Sequence, residues 1–273
     1  MNNSPILKDL LPLEHTSLFP QNYLSRLAEG SANQLLSSAA LIMAQEGDLR
    51  VAYAPFDHVN RSARLVIVGI TPGETQAVAA IKAYRSAMAA GLDDKEALLR
   101  AKSHASFSGA MRSNLVAMLD AIGVADFFDL KTSGQLFENG SRQVHFTSAL
   151  RYPVFRDGKN YNGMPNMLKT PVLRRMVDTY LAEEVRQLPE ALWLPLGPKA
   201  DEALGHLVQS GMLNRDRVLS GMPHPSGANA ERVAVFLGRK PAEEASRQTN
   251  GAALRAGYDR LTAQISKLKG VAQ

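Results

Sequence analysis

His224 lies in Ser-Gly-Met-Pro-His-Pro-Ser-Gly-Ala-Asn, residues 220–229, a segment whose prolines and glycines make it a shaped turn. Histidine titrates near neutrality and offers a hydrogen-bond donor to charge that develops during a reaction. A second polar turn, Gly69-Ile70-Thr71-Pro72-Gly73-Glu74, closes the apolar run 65–70. The Thr71 hydroxyl can position a water molecule, and Glu74 can supply a negative charge. In an open α/β sheet, turns at the carboxyl ends of strands are where ligands bind. Each feature also has a plain structural reading. Pro-Gly is a general turn signal, a glutamate opening a helix is favoured by the helix dipole, and a histidine between prolines packs loops. No lysine lies in either segment, which argues against a Schiff base and a strand-cutting lyase step.

The rest of the composition narrows the chemistry. There is no cysteine, which excludes disulfides, iron–sulfur clusters and thiolate zinc sites. His15, His58, His104, His145 and His206 show no metal-ligand spacing, so no metal and no cofactor is expected. The 273 residues are 45% hydrophobic and 21% charged, an ordinary globular balance. The net charge of +5 permits a polyanionic partner without requiring one. The first residues lack a basic-then-apolar leader, and no run is long enough to span a bilayer, so a soluble cytoplasmic monomer is expected.

Strand–helix alternation supplies the frame for the two turns. Leu65–Ile70, Val144–Leu150, Leu192–Leu196 and Arg217–Ser220 read as strands. Residues 77–90 and 94–103 read as helices split by Gly91, with Asp93 as N-cap. Met111, Leu115, Met118, Leu119 and Ile122 share a helical face that stops at Gly123. Residues 173–188, 199–209, 229–237 and 251–268 complete the helices, the last of them peripheral. This order predicts a three-layer α/β/α fold on a short, mainly parallel four-stranded sheet over residues 61–273. Residues 1–60 are expected to form a mostly helical extension packed on that core, with one helix over 24–45.

Several segments in chain order carry a resemblance. They are Gly69-Ile70-Thr71-Pro72-Gly73, Phe107-Ser108-Gly109 with the helix ending Met118-Leu119-Asp120-Ala121-Ile122-Gly123, and the strand Val144-His145-Phe146-Thr147-Ser148. Leu194-Pro195-Leu196-Gly197 with Ala200, Ala203 and Leu204, and finally His224-Pro225-Ser226, extend it over about residues 65–237. Together they resemble the uracil-DNA glycosylase superfamily, most closely its iron–sulfur branch. The resemblance implies an enzyme that flips a nucleotide out of DNA and hydrolyses its glycosidic bond without a cofactor. It implies that His224 donates to the departing base, that Phe107 stacks on that base, and that Gly69, Ile70, Pro72 and Gly73 let backbone approach it. Pro225, Ser226, Gly227, Ala228 and Asn229 would press on the duplex. Arg151 and Arg232 would meet phosphates, with Arg156, Lys159, Lys169, Arg174 and Arg175 nearby.

Two departures shape the substrate. Thr71 stands where several branches carry a water-orienting Asp or Asn, leaving Glu74 as the candidate for the missing charge. Ser148 stands where an Asn often reads uracil, and one rotatable hydroxyl replaces a planar donor–acceptor pair. A roomier pocket suits a modified or damaged pyrimidine, such as a glucosylated hydroxymethylcytosine of phage DNA, and hence a role in anti-phage defence. A uracil or mismatch repair glycosylase, or a non-catalytic binder of unusual DNA, remain the alternatives.

Overall fold

Three parallel strands make the centre of the molecule, and their sequences leave little choice. β3 (Leu65–Gly69) is buried at every position, as a strand covered on both faces must be. It pairs in parallel with β4 (Val144–Ser148) on one side and β7 (Leu192–Pro195) on the other. The computed structural model describes residues 21–28, 30–106, 110–138 and 141–272. Among the described residues no helix is long and apolar enough to cross a membrane.

Alternation along the strands sorts side chains onto two faces. Val66, Val68 and Trp193 join one buried cluster with helices α1 (Glu74–Ala89), α2 (Asp94–Ala105), α4 (171–187) and α5 (Pro198–Gln209). Leu65, Ile67, Val144, Leu192 and Leu194 join a second cluster. It includes α3 (Ala110–Ala121), α6 (Ala230–Phe236) and α7 (Gly251–Ala272). The expected three-layer α/β/α arrangement is therefore present. Local signals place the helices. Asp93 accepts the Glu96 N–H and caps α2, Gly123 turns the chain at φ 85°, and Pro198 opens α5 behind Gly197.

The sheet is smaller than the four strands expected. Segment 217–220 contributes a single parallel bridge, Trp193 to Val218. Asn214 caps a 3-10 turn over Arg215–Arg217, and Arg217 turns aside to Glu190, so little backbone is left to pair.

Two further expectations fail. The helix over 24–45 is broken into Gln21–Leu24 and Ala32–Ser37, after which Ser38 turns extended and β1 (Ile42–Glu46) begins. β1 and β2 (Leu49–Ala52) form a hairpin about Gly47-Asp48, with Gly47 at φ 57°. β2 then pairs with β5 (Val154–Arg156), itself turned into β6 (Lys159–Asn160) by Asp157-Gly158. Both residues of that turn have positive φ, the type I′ signature of a tight hairpin. Long-range pairing with β5 overrides the local helical tendency of the 40s. Helix α7, expected to be peripheral, buries Leu261 and Ile265 in the second cluster.

Candidate functional site

The carboxyl ends of the central strands open into one cleft of about 850 Å3. The turn after β3 gives it Gly69, Ile70, Thr71, Pro72 and Gly73, and β4 gives it Ser148. His224, Ser226, Asn229 and Arg232 come from the last motif and its helix. Ten sequence-selected residues thus line the cleft, and Arg151 is an eleventh. Phe107 lies outside the described residues. Pro225 is buried, Gly227 and Ala228 are exposed, and none of these three lines the cleft.

His224 is held by a stiff loop. The Gly197 N–H donates to Met222 O at 2.9 Å, and Asn114 Nδ2 donates to Pro225 O at 2.9 Å. Gly197 has φ 84°, and a Cβ built there would stand 3.5 Å from the His224 Cβ. On the other side Gly221, at φ 125°, meets Gly257 of α7, where an added Cβ would lie 2.7 Å from the Gly221 carbonyl oxygen. His224 Nδ1 accepts the Ser226 N–H at 3.3 Å. Burial holds the ring below the usual histidine pKa, so at neutral pH it is uncharged. Nδ1 being the acceptor, the ring proton is on Nε2, which leaves a donor on a cleft-lining residue.

Three sequence-based assignments need correction. Thr71 does reach the cleft, but its hydroxyl donates to Tyr152 O at 3.0 Å and accepts the Val154 N–H at 3.1 Å. It latches the β3 turn to the chain after β4, and its one proton is committed to that latch. Glu74 is exposed at the first position of α1, its N–H bound to Asn160 Oδ1 at 2.9 Å, and it is absent from the cleft wall. It serves as the dipole-favoured first-turn residue. The acidic side chain that does line the cleft is Asp201, anchored by the Ser220 hydroxyl at 2.6 Å.

Arg151 is the third. It is only 8% exposed and cannot meet a duplex from outside. Its Nε and Nη2 both contact Glu184 Oε1, at 2.8 and 2.7 Å. Glu184 is fully buried and also takes His145 Nε2 at 3.2 Å, with Lys102 Nζ at 3.9 Å. Lys102 donates to the carbonyls of Phe56 and His58 at 3.0 and 2.8 Å. Burial alone would raise the Glu184 carboxyl, but Arg151 and Lys102 outweigh it and hold the group well below the carboxylate range. Of the other basic residues, Arg156 pairs with Asp48 and Arg174 with Asp178, while Arg232 donates to Asn229 and to the Gln248 carbonyl.

Residues not singled out from sequence complete the cleft. Lys102, Lys199 and Arg260 line it, so five Lys/Arg residues and one acidic residue, Asp201, are in the lining. Lys102 follows Ala101 in the buried Ala97–Ala101–Ala105 stripe of α2, and His145 sits in a strand with no polar neighbour on its face except Thr147. A charge on an apolar stripe and a histidine inside a strand both signal a buried partner.

That cluster sets an acid limit. Burial pushes His145 down to about 4, with Lys102 adding to the effect. Unfolded histidine titrates near 6.5, so the folded form binds fewer protons. The stability tied to neutral His145 is whole above pH 6.5 and is lost as pH falls toward 4. Replacing His145 with Gln, which keeps a donor for Glu184, should flatten the fall in urea midpoint between pH 7 and pH 5. Equal pH slopes for the two proteins would contradict this.

Comparison with known proteins gives one informative relative. The chain is 35% identical over 207 residues to the uncharacterized protein YoxB of Bacillus subtilis (strain 168), spanning 75% of this chain and 80% of that one. No protein-family model matches the chain. No solved structure matches it significantly.

Proposed function

The chain belongs to one family with Bacillus subtilis YoxB, and for this member of it we propose a DNA N-glycosylase activity that flips a modified pyrimidine into the cleft and releases it. The observation that carries the reading is His224: a neutral ring whose Nδ1 is occupied, on a residue that lines a cleft at the carboxyl ends of parallel strands. Cleaving a glycosidic bond leaves negative charge on the base, and a preorganised donor in a partly dry site stabilises that charge. The motif likeness to the uracil-DNA glycosylase superfamily points the same way. Lys199, Arg232 and Arg260, the less buried cations of the cleft, suit a polyanion such as DNA. In this proposal the protein acts as a cytoplasmic monomer that hydrolyses the bond with water, and Asp201 takes over the charge first assigned to Glu74.

Ser148 supports a substrate other than uracil. Its short side chain lines the cleft where a planar amide would grip the uracil edge, and the cleft volume exceeds what a bare pyrimidine fills. A substituent on the ring, such as a hydroxymethyl group or a sugar attached to it, fits that space. Such bases mark phage DNA, which gives the activity a defensive use. The test is incubation with duplex and single-stranded DNAs carrying uracil, hydroxymethylcytosine or its glucosylated form, followed by detection of abasic sites. Release is expected from the bulky cytosines, with uracil weaker by about 10²-fold, and Ser148→Asn should move the preference toward uracil. Efficient uracil excision overturns the substrate assignment. Release from none of these DNAs, with tight binding to one of them, favours the non-catalytic binder.

A further inference from the structure

His224 and Ser148 account for only part of the cleft lining. It also contains Lys102, Thr147 and Arg151. All three are more than nine-tenths buried, at 5%, 7% and 8% exposure. The Thr147 hydroxyl is buried and has no hydrogen-bond partner. A buried hydroxyl left unpaired costs free energy, and in a native protein it calls for a ligand or an ordered water.

The surroundings say what kind of ligand. Lys102 Nζ and Arg151 Nη2 converge on the same oxygen, Glu184 Oε1, at 3.9 and 2.7 Å. Arg151 spends Nε on that carboxylate and Nη2 on it and on Tyr180 O, while Nη1 has no acceptor among the described residues. His145, which holds the other Glu184 oxygen, shares a sheet face with Thr147. Thr147 is two residues nearer the carboxyl end of β4, about 7 Å along the strand. Lys102 from α2 and Arg151 from the chain after β4 thus meet at one buried carboxylate, and Thr147 stands on the same strand face as its third partner, His145. Glu184 is the carboxylate that both cations touch, and the buried Asp57 carboxyl acts on them from further off. Asp57 is engaged by the hydroxyls of Tyr53 and Tyr152 and does not line the cleft.

We propose that Lys102, Arg151 and Thr147 form a second subsite of the cleft, one that binds a phosphate-type oxyanion. Glu184 fixes the two cations; Lys102 spends two of its three N–H on the Phe56 and His58 carbonyls and contributes charge, while the open donors are Arg151 Nη1 and the Thr147 hydroxyl, a set that suits an anion with several oxygens. The anion comes from a free phosphate or nucleotide, or from the phosphate of a DNA strand entering the cleft. The subsite does not depend on the glycosylase reading, because none of its residues takes part in base release.

Thr147→Val tests it with the charges left in place. Titration calorimetry and melting curves would follow the full-length protein with inorganic phosphate, a deoxynucleoside monophosphate and a short oligonucleotide. The wild-type protein should bind inorganic phosphate and be stabilised by it. Thr147→Val should bind it about 10-fold more weakly, the loss of one hydrogen bond to a charged group. The same variant without ligand should melt higher than wild type, because an unpaired buried hydroxyl has been removed. His224→Ala should keep phosphate binding unchanged, which separates this subsite from the proposed chemistry. If Thr147→Val weakens the oligonucleotide as well as inorganic phosphate, the anion is a strand phosphate. If it weakens inorganic phosphate and the mononucleotide alone, the anion is a free one. No phosphate binding by the wild-type protein, or equal binding by Thr147→Val, overturns the proposal.

Discussion

His224→Ala is expected to lower single-turnover base release by about 10²-fold or more while DNA affinity stays nearly unchanged. The size follows from removing one oriented donor from a site where charge develops in a low-dielectric pocket. Affinity is spared because the ring is not a phosphate contact. The loop should also survive the change. Its backbone is fixed by the Gly197–Met222 and Asn114–Pro225 hydrogen bonds, neither of which uses the imidazole. The variant therefore isolates chemistry from folding. The measurement is a single-turnover time course on whichever modified-base DNA the wild type cleaves, with binding followed separately by anisotropy. A rate within a few-fold of wild type would remove His224 from the mechanism.

Glu184→Ala carries the largest expected effect on stability. Glu184 is fully buried, and it is the shared partner of Arg151, Lys102 and His145. Removing one partner of a buried ionic network leaves uncompensated charge inside the protein, typically at a cost of about 3–5 kcal/mol. Here two cations would lose the carboxylate they touch, leaving Arg151 against the Tyr180 carbonyl, Lys102 on the Phe56 and His58 carbonyls, and the more distant Asp57 carboxyl as their counter-charge. Urea unfolding at pH 7 reads the loss directly, and Glu184→Gln, which keeps one acceptor oxygen for Arg151, should fall between alanine and wild type. A loss under about 1 kcal/mol for the alanine variant would mean that water reaches the cluster and screens it.

Much of this architecture was legible because its signals are local. The apolar run Leu65–Gly69, the Asp93 cap and the stripe Leu115–Met118–Leu119–Ile122 each fix an element within a dozen residues of sequence. The two turns that meet in the cleft were legible for the same reason. What sequence reading missed depends on partners far away in the chain. β1 is a strand because β2 is held in turn by β5, some 105 residues further on. Arg151 looked like a surface cation because nothing near it in sequence reveals Glu184. Thr71 looked free because its acceptor is the Tyr152 carbonyl, 81 residues away. Glu74 was misjudged over a shorter distance: the first turn of α1 directs it away from the cleft. Lys102 left a trace, a cation beside an alanine stripe, but the trace names no partner.

The facing glycines 221 and 257 have a consequence beyond close contact. A helix seated against a flat apolar surface can slip along its axis by a turn, about 5.4 Å, at little cost. Helix α7 cannot, because the carbonyl of Gly221 fits only where the helix presents no Cβ. One turn away on the same face stand Ala253 and Leu254 in one direction and Arg260 and Leu261 in the other, and each brings a Cβ. The glycine pair thus acts as a notch and pawl. It indexes the helix lengthwise, so that Ala253, Leu254 and Arg260 arrive at the cleft mouth in a single setting relative to His224.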